Sequence, residues 1–193
     1  MKTCSIVLMF LLIMGCSQQG QKGEAVGGSV PEIPIGAMTE SLEDTQGLTR
    51  VTLNDNNGKV AMGGFYLNQK REGSWVEYHP NGMIKTITTY VGGKKEGMFA
   101  EFSETGQTVR RCLYHNDQRD GEYREYNYST VKEERFYKGG KLEGAVRIYY
   151  PDGKIMEEGL YVNGVRDGIS KWYDQQGNLT IQYEYKEGTL VKK

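Results

Sequence analysis

Chemistry in a protein needs reactive groups held close together, and this 193-residue chain offers few candidates. It has two histidines, His79 and His115, and three cysteines, Cys4, Cys16 and Cys112. The histidines stand 36 residues apart, out of phase with a 24-residue repeat that runs through the chain, so neither a shared metal nor a Ser-His-Asp arrangement is expected. Carboxylates are the richer resource. Glu72, Glu96, Asp120, Glu143 and Asp167 recur in phase, often beside a cation such as Arg71, Lys95, Arg119 or Arg166. Such a row suits calcium or a basic partner, but the adjacent cations oppose metal binding and favour a solvated, charge-balanced hairpin edge. A glycosidase needs two carboxyl groups facing each other across a sugar, and no cleft is expected to focus them. The stretch YVGGKKEGMFAEFSETG, Tyr90 to Gly106, holds glycines and lysines but not the GxxxxGK[ST] order that cradles phosphate. The expectation is a chain with no catalytic residue, no metal site and no cofactor.

Binding is the chemistry that remains. A formal charge of -1, with Lys and Arg alternating with Glu and Asp, argues against nucleic acid, which calls for a basic field or stripe. Aromatic side chains on a flat surface adhere to proteins or stack on sugar rings, although at fixed hairpin positions they also serve as the packing ladder itself. The candidate binding surface is Trp75, Trp172, Tyr78, Phe102, Tyr126, Tyr149 and Tyr173. Cys112 falls in a strand pattern and reads as a small buried hydrophobe.

The elements that position these residues follow from the spacing. Tyr66, Tyr90, Tyr114, Tyr137, Tyr161 and Tyr185 are separated by 24, 24, 23, 24 and 24 residues, which marks a repeat architecture. Each unit carries two turns. Asn68-Gln69, Gly92-Gly93, Asn116-Asp117, Gly139-Gly140 and Asn163-Gly164 supply the two positive-φ positions of a type I′ hairpin. Asn56-Asn57-Gly58, Pro80-Asn81-Gly82, Glu104-Thr105-Gly106, Pro151-Asp152-Gly153 and Gln175-Gln176-Gly177 suit a type I turn closed by a left-handed glycine. The third unit, YNYST from Tyr126, is one residue shorter and lacks that glycine. A further row, Gly73, Gly97, Gly121, Gly144 and Gly168, is read with the turns as a place of backbone reversal. Segments between turns, such as GSWVEYH and MIKTITTYV, read as strands. The expected fold is all-β: an elongated single-layer antiparallel meander of tandem hairpins, about five and a half repeats over residues 46–193. Alternation puts Glu77, Glu101 and Glu125 on one face and Arg124, Arg147 and Lys171 on the other. Residues 16–45, rich in Gly, Gln and Ser at first and with two prolines, read as a flexible tether.

Units such as YKGGKLEGAVRIYYPDGK and YVNGVRDGISKWYDQQGN resemble the MORN repeat in its bacterial variant form. That resemblance implies a single-layer hairpin array serving as a non-catalytic scaffold for protein or lipid-surface interactions, and it carries a common label as an antitoxin component of toxin–antitoxin pairs. The N-terminus, MKTCSIVLMFLLIMGCSQQG, has Lys2 followed by an apolar run from Ile6 to Met14, the shape of an export signal and too short to span a bilayer. Its IMGC segment resembles the lipobox of bacterial lipoproteins, which implies a signal peptide over residues 1–15, cleavage after Gly15 and a diacylglycerol anchor on Cys16. The expected protein is thus an envelope lipoprotein, periplasmic or surface-facing, bound to the membrane by lipid and to an unknown protein partner. A cell-wall glycan-binding module, or immunity against a toxin acting in the envelope, are the alternatives.

Overall fold

The computed structural model describes residues 33–192; the expected signal peptide, Cys16 and the first half of the expected tether lie outside the described residues. Fifteen strands form one sheet: β1 (Met38–Ser41), β2 (Leu48–Asn54), β3 (Val60–Leu67), β4 (Lys70–Tyr78), β5 (Ile84–Val91), β6 (Lys94–Phe102), β7 (Thr108–His115), β8 (Gln118–Asn127), β9 (Thr130–Lys138), β10 (Lys141–Leu142), β11 (Gly144–Tyr149), β12 (Ile155–Val162), β13 (Val165–Tyr173), β14 (Leu179–Lys186) and β15 (Thr189–Lys192). Each strand pairs antiparallel with the next in sequence, except that β10 and β11 share β9 as neighbour. At about 4.8 Å per strand the ribbon extends on the order of 60 Å, one layer thick.

The turns take the backbone conformations that their residues permit. Asn68, Gln69, Asn116, Asp117, Asn163 and their glycine counterparts all have positive φ. Gln69, the residue least suited to it, sits at 65°. At the opposite edge the N–H groups of Gly58, Gly82, Gly106, Gly153 and Gly177 close three-residue loops onto Asp55, His79, Ser103, Tyr150 and Asp174. The third unit replaces that loop with a two-residue turn between Asn127 and Thr130, where Tyr128 takes φ 55°.

Two expectations are corrected. Gly73, Gly97, Gly121, Gly144 and Gly168 do not reverse the chain; they lie within or at the start of strands, at register shifts where the left-handed φ of a β-bulge is needed. The stretch read as tether is also not structureless to its end. Met38–Ser41 pairs with β2 from Met38↔Thr52 to Ser41↔Thr49. Pairing of this kind needs only the N–H and C=O groups of β2, so four exposed residues without apolar alternation achieve it.

A one-layer sheet has no second layer to bury its side chains, so the rings lie flat over small neighbours. Directly paired residues run along one face as Trp75, Thr88, Phe99, Cys112 and Tyr123. Trp75 is 3 % exposed because the position across from it, on β3, is Gly64. A Cβ there would stand 2.4 Å from the indole. Tyr66 meets Trp75 edge-to-face at 5.3 Å, and Tyr123 meets Tyr137 at 6.0 Å. Interleaved cations complete the ladder: Arg71 over Trp75 and Tyr90, Lys95 over Tyr114, Arg119 over Tyr123 and Tyr137, Arg166 over Tyr161 and Tyr185. This aromatic face is the core of the molecule.

Candidate binding face

The opposite face is open, and its side chains form three rows that run across the strands. Tyr78, Phe102, Tyr126, Tyr149 and Tyr173 line one edge, all half-buried. In the middle is a charged row in which paired positions read Arg111, Arg124, Glu134, Arg147, Glu158 and Lys171. Beyond it stand Met98, Leu113, Phe136, Leu160 and Ile169, each between 43 % and 51 % exposed. Met98 pairs with Leu113, Phe136 with Glu122, and Leu160 with Ala145, so the row is apolar but for Glu122 and has its low point at Ala145.

The first two rows are joined by hydrogen bonds. Tyr149 Oη donates to Glu134 and Tyr173 Oη to Glu158, each at 2.7 Å. Burial and the carboxylate it serves push the Tyr149 hydroxyl up to about 12. Arg124 Nε reaches Glu134 at 2.9 Å, and Arg147 lies 3.9 Å from Glu134 and 4.0 Å from Glu158. The β9–β11 seam pairs over only two positions, Arg147↔Glu134 and Ile148↔Glu133. An open groove of about 450 Å³ lies there, lined on this face by Glu122, Arg124, Glu134, Phe136, Ala145 and Arg147.

The seven aromatic candidates divide between the two faces. Tyr78, Phe102, Tyr126, Tyr149 and Tyr173 belong to the open face. Trp75 does not: it is in the core, its indole N–H donating to the Phe65 carbonyl at 3.0 Å. Trp172 is half-buried on the aromatic face, between the guanidinium of Arg166 at 5.2 Å and the ring of Tyr183 at 5.6 Å. The rings best suited to stack on a sugar are therefore committed to internal packing, because the cation and the neighbouring ring already occupy their faces.

The acidic row has a structural task that its sequence did not reveal. Each carboxylate accepts a hydrogen bond from the backbone N–H of the next unit's type I′ turn: Gly92 onto Glu72, Asn116 onto Glu96, Gly139 onto Asp120, Asn163 onto Glu143 and Glu187 onto Asp167, at 2.8 to 3.1 Å. The following turn residue donates to the carbonyl that precedes the acid, as Gly93 does to Arg71 and Gly140 to Arg119. The acids thus splice successive hairpins. His79 and His115 remain apart: one ring nitrogen of His79 lies 2.9 Å from the Phe102 carbonyl, and His115 Nδ1 lies 2.9 Å from Glu96. Among the described residues no group of three His, Cys, Asp or Glu is disposed to hold a metal. Cys112 is buried, and burial pushes its thiol above the usual range.

The apolar row is the feature that residue-by-residue reading missed. Its signal was present: Leu113, Phe136 and Leu160 each precede a framework tyrosine, and Met98 and Ile169 each follow a repeat glycine.

Hairpins that repeat in phase, with a positive-φ glycine and a tyrosine at fixed places, decide the comparison with known families. Three stretches match the MORN repeat variant. They cover residues 71–91, 142–163 and 166–187. The two intervening MORN-like units keep the same register, since Gly97 pairs with Tyr114 and Gly121 with Tyr137 as Gly73 pairs with Tyr90. A repeat of this family points to a non-catalytic scaffold for binding. No curated protein matches the chain. Among solved structures, a mutant of S. aureus TarM in complex with Fondaparinux, alpha-GlcNAc-glycerol and UDP is similar at 9 % identity and a TM-score of 0.25, over 82 % of this chain and 21 % of that one. A likeness at that score carries no argument about function.

Proposed function

We propose that this chain is a membrane-anchored envelope lipoprotein whose MORN-like sheet holds a protein partner against its open face. One observation carries the scaffold reading: five large apolar side chains stand on one face of the sheet, each about half exposed. Apolar surface organised in this way marks an interaction site rather than the scattered exposure of an ordinary surface. The charged row beside it supplies the polar rim that interfaces surround their apolar centres with.

The anchor rests on the sequence MKTCSIVLMFLLIMGC, and the mass of the mature chain tests it. A chain starting at Cys16 with added acyl mass is expected; an unmodified cysteine or another cleavage site removes the anchor from the proposal. For the scaffold, a photo-crosslinking residue at Phe136 is expected to trap one discrete protein in cells, and the same residue at Glu77, on the aromatic face, is not. Absence of any protein adduct from Phe136, or equal yields from both faces, overturns the reading.

A further inference from the structure

Like charges directly opposite each other on neighbouring strands repel, and a chain that keeps such a pair ordinarily neutralises it. The aromatic face obeys this. Glu125 stands opposite Glu133, but Lys132 Nζ lies 2.5 Å from Glu125 and Arg135 Nε lies 2.6 Å from Glu133. The open face does not obey it. Arg111 stands opposite Arg124. Arg124 reaches Glu134 at 2.9 Å and Glu122 at 3.8 Å, whereas the exposed Arg111 side chain has no ion pair or hydrogen bond among the described residues. Arg147, further along, finds only the long contacts to Glu134 and Glu158. Glu134 also accepts the Tyr149 hydroxyl. From β7 to β11, then, Arg111 is left without a carboxylate while Arg124 and Arg147 share Glu134, with longer contacts to Glu122 and Glu158, and the apolar Leu113, Phe136 and Leu160 run beside them.

We propose that Arg111, Arg124 and Arg147, with the neighbouring apolar row, form the seat of an acidic amphipathic segment of a partner protein. The inference rests on the scaffold reading above and specifies the partner's chemistry. Its apolar side chains cover Leu113, Phe136 and Leu160, with the low point at Ala145 between the last two. Its carboxylates supply to Arg111 the neutralisation that the chain lacks there and strengthen the long contacts of Arg147. Guanidinium is the group for this task, because its planar fork meets a carboxylate through two parallel hydrogen bonds. A lone small anion would leave the apolar row uncovered. A nucleic acid has nothing apolar to offer along its backbone, so it too would leave the row uncovered.

The test pans a phage-displayed random peptide library against the full chain and measures the selected peptides by fluorescence anisotropy. Enriched sequences are expected to combine Asp or Glu with large apolar residues. Their affinity should fall about three- to tenfold in Arg111→Glu, less in Arg111→Gln, and be lost in Leu113→Asp. Both positions are exposed, and an unchanged circular dichroism spectrum confirms that each variant folds. Enrichment of basic or uncharged peptides, or of peptides whose affinity neither Arg111→Glu nor Leu113→Asp changes, overturns this seat while leaving the scaffold reading standing. If no peptide is enriched, both fall.

Discussion

Gly64 lacks a side chain because the indole of Trp75 occupies the space that a Cβ would need. Its backbone is ordinary, so Gly64→Ala tests sterics alone; it is expected to destabilise the protein by about 1–3 kcal/mol, through displacement of the ring. A urea denaturation midpoint that does not move would show that the indole has another place to go. Ser170 poses the reverse case. It is fully buried, and its hydroxyl has no hydrogen-bond partner among the described residues. Ser170→Ala is therefore expected to leave stability unchanged or raise it by about 1 kcal/mol, measured in the same way, since it removes a desolvated group at little cost in volume. The Glu96–His115 contact brings pH into play. The Asn116 N–H, followed by the His115 ring, holds Glu96 below the usual 4.5, and Glu96 in turn raises His115 above the usual 6.5. The Glu96 contribution is present above 4.5 and is lost as pH falls through its lowered value. The His115 contribution is present below 6.5 and is lost as pH rises through its raised value. An NMR titration should place the His115 midpoint above 6.5 and return it toward 6.5 in Glu96→Gln; identical midpoints would refute the coupling.

At the scale of the element, the hairpin is completed by its neighbour. The type I′ turn at Gly139-Gly140 sends one N–H to Asp120 and the next to the Arg119 carbonyl of the preceding unit. Asp120→Ala should cost about 0.5–1.5 kcal/mol and speed hydrogen exchange at Gly139, while Asp120→Asn, which keeps an acceptor, should cost less. Equal losses in the two variants would mean that charge, not the acceptor, matters. These elements were largely legible in the sequence, because a type I′ turn needs specific residues at two adjacent sites and the chain repeats them every 24 positions. The faces were legible too, since alternation alone places Glu77 and Glu125 opposite Arg124 and Arg147. Other features depend on partners far along the chain. Nothing near Trp75 announces that Gly64 lies across from it, so the largest ring read as surface. A bulge glycine and a turn glycine have the same sequence signature, so the row from Gly73 to Gly168 read as reversals. The four residues of β1 owe their form entirely to the backbone of β2.

At the scale of the whole molecule, each strand pairs only with its neighbours, so stability is a sum of local terms and the array has no central core whose loss would unfold it at once. Two distant glycines probe this. Gly64 lies under Trp75, and a Cβ on Gly159 would stand 2.8 Å from the Ser170 hydroxyl. The two sites share no partner, so Gly64→Ala and Gly159→Ala should have additive effects on stability. Hydrogen exchange should locate each effect: Gly64→Ala is expected to raise exchange from β2 to β5 and leave β12 to β14 protected, and Gly159→Ala to do the reverse. If either substitution raises exchange evenly across all the strands, the sheet unfolds as one cooperative unit. In that case the apolar row of the open face could not be perturbed at one repeat without the rest, and a partner bound there would stabilise the entire ribbon instead of the repeats it touches.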